Sequence, residues 1–381
     1  MVLSRIWQMV AAWTLTAALA AGAEVENWKG EAFSGALTLA DGAFHVKGAK
    51  GDVTIPKSGL FCARFGGVPR EESGQWAHFI FFDGSRLSGK IPLGNVKSTW
   101  EIVRPGGQKF EFPHDQLQAL EFSTLLPAVH PEAIPEGPHV VMRNGKTLAC
   151  SLEWLTALEA SVKAGAGKMR LRLENIHQIV FAPAKAVAPA SEAFCAQTLS
   201  GDKLFGDIRK MNDKTLTIKN AAGSWELPVA SLRSLTSCSD KAVSLLTLTP
   251  SKRNLVPFID FVREPRFVID GNGGLQIGKF AYSRGLATHT RTELTYALDG
   301  KFSRLVFEAG IDTSLGGQGN ALLLVRGGND KIAEIPVKAG EKPRYASVSV
   351  AGVKNLTLVA DFGPDGSSGD HVVWGNPLLI K

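Results

Sequence analysis

The chain has 381 residues, more than one hydrophobic core usually organises, so several domains are expected. Its 40 Gly, 19 Pro and 20 Phe, with little helical periodicity, point to an all-β protein and away from helical bundles. The net charge of +6 is spread along the chain, which argues against a dedicated nucleic-acid-binding arm.

At the N-terminus, Arg5 precedes an apolar run from Met9 to Ala20, and Ala21-Gly22-Ala23 supplies the small-x-small pattern of a cleavage site. Residues 1–23 therefore read as a signal peptide cut before Glu24, the alternative being an N-terminal membrane anchor. The run is shorter than the roughly 20 residues that span a bilayer. No later segment is long and apolar enough to cross, so the expected mature protein is soluble and secreted, periplasmic or at the cell surface. Export would remove intracellular nucleic acid as a partner and leave anionic surface polymers as one reason for the basic balance.

Four small β-repeats come next. Phe82-Asp83-Gly84, Arg143-Asn144-Gly145 and Leu199-Ser200-Gly201 each join two apolar runs by the turn chemistry in which glycine takes a positive φ. Each repeat closes alike: Phe110-Glu-Phe-Pro113 leads to Leu117–Phe122, Met169–Leu173 to Ile176–Phe181, and Trp225-Glu-Leu-Pro228 to Leu232–Leu235. These set repeats at 76–126, 138–182 and 193–240, with a degenerate first copy at 24–67. They loosely resemble small SH3 or Sm-like barrels. Proline-rich Pro127–Pro138 and the Ala/Pro run 182–190 read as stiff connectors. Trp76, Trp100, Trp154 and Trp225 lie within alternating strands, where a core role is expected before a sugar-stacking one.

Cys62, Cys150, Cys195 and Cys238 would allow two disulfides in an exported protein. Cys195 and Cys238 bracket the last repeat and are the favoured pair, with free buried thiols as the alternative. No CxxC occurs, so redox catalysis and tetrahedral zinc lack their signature.

From residue 241 the pattern changes. Leu294–Leu298, Arg304–Glu308, Ala321–Val325, Ala346–Val350 and Leu356–Ala360 are β-rich segments separated by Gly-containing turns, which suits a two-sheet sandwich. The uninterrupted Leu322–Val325 run suggests a strand covered on both faces. The glycine run Gly271–Gly278 lacks the helix and spaced acidic residue of a nucleotide-binding loop.

Ordered motifs then recur over about a hundred residues: Tyr282-Ser-Arg-Gly285-Leu-Ala-Thr-His289, Gly310-Ile-Asp312, and Asp370-His371-Val-Val-Trp374-Gly-Asn376. Together these resemble the NPCBM family of carbohydrate-binding modules. The resemblance implies a galactose-binding-like β-sandwich (jelly roll) over residues 241–381 that binds a glycan, with galactose-type termini as the first expectation. It implies a site in which Trp374 stacks on the sugar while Asp370, His371 and Asn376, joined by His289, meet its hydroxyls. Two structural alternatives stay open: Trp374 as a core anchor with Asp370 and His371 locking a loop, and His289 as a loop cap. Asp312, in a glycine-rich loop, suits a structural Ca²⁺, which such sandwiches often hold.

Nothing before the sandwich provides a catalytic scaffold, and neither HExxH nor GxSxG occurs, so no enzyme activity is expected. The expected role is an exported, non-catalytic glycan-binding protein whose repeats act as spacer or assembly platform. The alternative is an envelope-structural or protein-interaction protein whose sandwich docks a protein partner and whose repeats assemble through exposed strand edges or barrel faces.

Overall fold

A computed structural model describes residues 22–69, 76–104, 107–122, 134–182, 190, 192–256, 263–269, 274–316, 318–364, 366 and 369–381. Nearly all of the expected signal segment and most of both connectors lie outside the described residues. The chain divides into two compact units, Ala20–Ser239 and Asp240–Lys381. Among the described residues the structure is built of strands and single 3-10 turns, and no helix is long and apolar enough to cross a membrane.

The four repeats of the first unit share one plan. In the fourth, strands Phe194–Thr198, Lys203–Met211, Thr215–Asn220 and Gly223–Pro228 form an antiparallel meander. A 3-10 turn at Val229–Ser231 then swings strand Leu232–Ser237 back onto the first strand. The first repeat follows the same order from Ala23–Asn27 to Leu60–Phe65, so its degeneracy is confined to sequence. The first turn carries a positive-φ glycine in every repeat, at Gly30, Gly84, Gly145 and Gly201. The alternation of the closing segment is also realised: Trp225 and Leu227 are buried while Glu226 and Pro228 are exposed.

These units are not beads on a string. Each repeat leaves the outer edge of its last strand unpaired, and the chain joins those edges in twos. Leu60–Phe65 pairs with Leu232–Ser237, and Leu117–Phe122 pairs with Ile176–Val180, both antiparallel. The first repeat is thus joined to the fourth and the second to the third. These two pairings consume the outer edges of the last strands within one chain.

One hydrophobic core runs through all four repeats. Aromatic rings meet edge-on across their boundaries: Phe44 with Phe194 at 5.8 Å, Phe81 with Trp225 at 5.6 Å, and Trp100 with Phe181 at 5.6 Å. Trp100 and Trp225 are therefore core residues. A buried ion pair, Arg104 with Asp202, ties the second repeat to the fourth, and Asp202 also accepts the Ser88 backbone N–H at 2.8 Å. The four cysteines are free thiols, in place of the favoured Cys195–Cys238 bridge. The register sets Cys195 opposite Thr236, so Cys238 is only a diagonal neighbour; burial and the nearby Cys195 push its thiol pKa up to about 12.

The second unit is a sandwich of two antiparallel sheets. One runs Arg266–Ile269, Arg284–His289, His371–Ile380, Arg304–Ile311, Arg344–Ser349. The other runs Lys252–Leu255, Thr292–Ala297, Asn355–Phe362, Asn320–Gly327, Asp330–Lys338. Leu286, Leu294, Tyr296, Phe307, Leu323, Leu358 and Trp374 fill the space between them. A short hairpin, Leu275–Ile277 with Phe280–Tyr282, covers the outer face of the first sheet; Leu275, Ile277 and Tyr282 pack there with Val268 and Val373. In the Leu322–Val325 run, Leu323 and Val325 face the core and Leu324 is buried on the opposite side, while Leu322 is only half-buried.

Candidate functional site

The motif residues meet at one end of the hairpin-covered sheet. Strand Arg284–His289 ends where the central strand His371–Ile380 begins, so His289 and His371 are directly paired in register. Their rings sit edge-on with centroids 4.9 Å apart, and both side chains are half-buried. The adjacent strand Arg304–Ile311 ends at the same level, where the Asp312 backbone N–H donates to the His371 carbonyl at 2.7 Å.

Two arginines complete the patch. Arg263 reaches His371 Nε2 with its Nη1 at 3.0 Å, and Arg266 on the edge strand brings its guanidinium to 3.9 Å from Asp312. An arginine can only donate, so Nε2 of His371 is the accepting nitrogen of a neutral ring. Burial lowers the pKa of His371, and neighbouring His289 and Arg263 lower it further. Burial likewise lowers that of His289, although its Nδ1 contact to the Thr290 carbonyl, 2.8 Å, works against the shift. The pair is therefore neutral at pH 7.

The other expected site residues have different roles. Trp374 is 1 % exposed: its indole faces the sandwich core against Phe307 at 5.0 Å, and its Nε1 donates to Thr288 Oγ1 at 3.3 Å. It has no face for a sugar and is the core anchor of the last strand. Asp370 is 0 % exposed, accepting from Thr290 Oγ1 at 3.1 Å and from the Asn320 backbone N–H at 2.9 Å. It locks three loops together behind the histidines. Gly319, at φ +111°, is needed there because a Cβ would fall 2.7 Å from the Asp370 carboxylate. Asn376 has a positive φ at a bulge in the same strand, five residues and about 16 Å from His371 at the usual rise, outside the patch.

Asp312 caps the 3-10 turn Thr313–Leu315. One carboxylate oxygen accepts from the Ser314 N–H at 3.0 Å, the Ser314 hydroxyl at 2.6 Å and the Gln276 N–H at 3.3 Å. The capped turn accounts for that oxygen, while the other is buried without a hydrogen-bond partner, 3.9 Å from the Arg266 guanidinium. Among the described residues no group of three or more His, Cys, Asp or Glu could hold a metal.

Residues 244–380, the two sheets and this patch together, match the family model of the NPCBM/NEW2 domain. The second unit is an NPCBM/NEW2 domain. Solved structures similar to the chain include CBM51 of Clostridium perfringens GH95 in complex with methyl-galactose, at 22% identity, covering 36% of this chain and 99% of that one, TM-score 0.32. The CBM51-2 and INT domains of C. perfringens ZmpB, in complex with GlcNAc, match at 17% identity over 44% of this chain and 36% of that one, TM-score 0.33. The tandem CBM51 modules of Sp3GH98 from Streptococcus pneumoniae SP3-BS71 match at 12% identity over 80% and 87%, TM-score 0.32. The ligands named for those structures are theirs. No curated protein matches the chain.

Within the NPCBM/NEW2 domain, the residues that sequence reasoning missed are Arg263 and Arg266. Arg266 opens the strand that pairs with Arg284–His289 and Arg263 lies three residues before it, and this pairing brings them to the histidines. No spacing in the sequence announces that pairing. What the patch offers a ligand is two neutral imidazoles and two guanidinium groups on a rigid sheet end, a set of planar polar groups suited to fixed hydroxyls.

Proposed function

We propose that the protein is an exported, non-catalytic glycan-binding protein, and that the NPCBM/NEW2 domain grips its ligand at the His289–His371 end of the sheet. The observation that carries this reading is the family match over residues 244–380, joined to a patch of planar polar groups within that span, two of them the motif histidines. Neutral histidines exchange hydrogen bonds with sugar hydroxyls as donor and acceptor together. The arginines add donors, and Asp370 holds the supporting loops so that little ordering is left for binding. The four repeats form a single packed body rather than a flexible tether of separate repeats. Galactose-type termini are the first ligand class to try.

A glycan array with the full chain tests this, followed by the same array with His371→Ala and Arg263→Ala. Retained folding with lost glycan signal in both variants supports the reading. A blank array from folded wild-type protein overturns it in favour of protein docking, which co-purification from envelope extract would then pursue.

A further inference from the structure

A second candidate site lies in the repeats, on residues that the carbohydrate-module reading does not use. In the third repeat, strands Ser151–Leu155, Glu159–Ala164 and Gly167–Arg172 form a sheet that is extended by Gly94–Asn95 of the second repeat. One register row crosses all four strands: Asn95, Trp154, Ser161, Arg170. Residues opposite one another in a sheet share a face, so these four side chains stand side by side. A bulge between Leu152 and Trp154 adds Glu153 to the same groove, which measures about 440 Å³.

The repeat plan supplies a comparison. The fourth repeat carries the same bulge at Ile208/Lys210, and its corresponding row is Lys210, Thr217, Glu226. The fold is thus made equally well with lysine where the third repeat has Trp154. Trp100 and Trp225 elsewhere fill the core, whereas Trp154 is only half-buried and lines an open groove. Packing therefore does not account for a tryptophan at this position.

The chemistry around the ring is specific. The Arg170 guanidinium lies over the indole, 5.6 Å from its centroid. Lys168 lines the groove and pairs with Glu153 at 2.9 Å. On this face the cations Lys163, Lys168, Arg170 and Arg172 meet the carboxylates Glu153 and Glu159, and Glu174 pairs with Arg172 at 3.3 Å, which leaves an excess of one positive charge. A shallow groove with an aromatic wall, an amide, a hydroxyl and surplus positive charge suits a flat, hydroxyl-rich, negatively charged ligand. The groove lacks the deep apolar pocket that a peptide anchor would need.

We propose that this face is a second binding site, for an acidic saccharide. Its pyranose ring packs on Trp154, its carboxylate or sulfate is held by the Arg170 fork with Lys168, and Asn95 and Ser161 meet its hydroxyls. The argument is independent of the proposed site in the C-terminal domain.

The test is titration calorimetry on the full chain with an oligogalacturonate, carrying carboxylates, and a heparin-derived oligosaccharide, carrying sulfates as well. A neutral galacto-oligosaccharide and oligothymidylate serve as comparisons. Expected is binding of at least one acidic saccharide that weakens with added salt and falls about tenfold or more in Trp154→Ala and in Arg170→Ala. Which probe binds distinguishes carboxylate from sulfate recognition. His289→Ala with His371→Ala should leave this binding unchanged, separating it from the C-terminal site. Arg170 is exposed, so its variant reports on binding even if Trp154→Ala lowers the melting temperature. No binding of either acidic probe, binding undiminished in Arg170→Ala, or equal affinity for oligothymidylate would overturn the proposal.

Discussion

Trp374 shows how a motif can be read correctly as a motif and still be assigned the wrong side. In Val372-Val373-Trp374 every residue is apolar, and in the structure every one is buried, because the core covers one face and the hairpin Leu275–Tyr282 the other. A continuous apolar run carries no parity, so sequence alone does not say which way the indole points. The consequence is measurable. Trp374→Ala empties a fully packed site and should cost about 3–5 kcal/mol, read as a lower urea midpoint of the C-terminal unit. Any loss of glycan binding should track that unfolding and be absent under conditions where the variant remains folded. Asp370→Ala strips the Asn320 N–H and Thr290 hydroxyl of their acceptor and should cost about 1–3 kcal/mol. The histidine pair makes a prediction about pH. Burial lowers both pKa values below the unfolded value of about 6.5, so in acid the unfolded chain binds more protons than the folded one. The pair's contribution is intact above pH 6.5 and declines as pH falls below it. The melting temperature of the C-terminal unit should therefore drop from pH 7 to pH 5, and His289→Gln with His371→Gln should flatten the drop.

At the level of elements, the turns were the most legible part. Asp83-Gly84, Asn144-Gly145 and Ser200-Gly201 announce hairpins because only glycine takes those φ values freely, and the structure places each of these glycines between 83° and 90°. The meander and the 3-10 turn after Pro113 and Pro228 follow from the same local chemistry. What local chemistry does not contain is the partner of each last strand. Leu120 finds Ile179 and Ala63 finds Leu235 through pairings between repeats, which depend on the assembled body. Arg104 and Asp202 mark one such junction, and nothing in their sequence neighbourhoods links them. Asp202→Ala leaves Arg104 buried without its carboxylate and the Ser88 N–H without its acceptor. That should cost about 3–5 kcal/mol, lowering the denaturant midpoint of the repeat unit. Replacing both members, Arg104→Met with Asp202→Leu, should restore part of the loss, because no lone buried charge remains.

On the scale of the molecule, the described residues of the repeats share one core, residues 23–235, while the C-terminal unit has a main core, residues 245–379, and a smaller cluster under its hairpin. The division falls where the composition and strand pattern change near residue 241. The continuity of the four repeats was not legible, because the connectors 127–138 and 182–190 read as spacers while the pairing that unites the repeats is non-local. Two compact units whose cores share no residue should unfold as two cooperative events, and scanning calorimetry of the full chain tests this. Trp374→Ala should move one transition and Asp202→Ala the other, each leaving its counterpart within about 1 °C, since distant sites without shared partners behave additively. A single transition moved by both variants would mean that the units melt as one body. Acid gives an independent assignment of the two events. His78 in the second repeat has its pKa lowered to about 4, mainly by burial and further by Arg86. Its contribution is present above the unfolded pKa of about 6.5 and is lost as pH falls from there to about 4. The repeat transition should therefore keep its acid sensitivity in the His289→Gln, His371→Gln variant, while the sandwich transition loses its own.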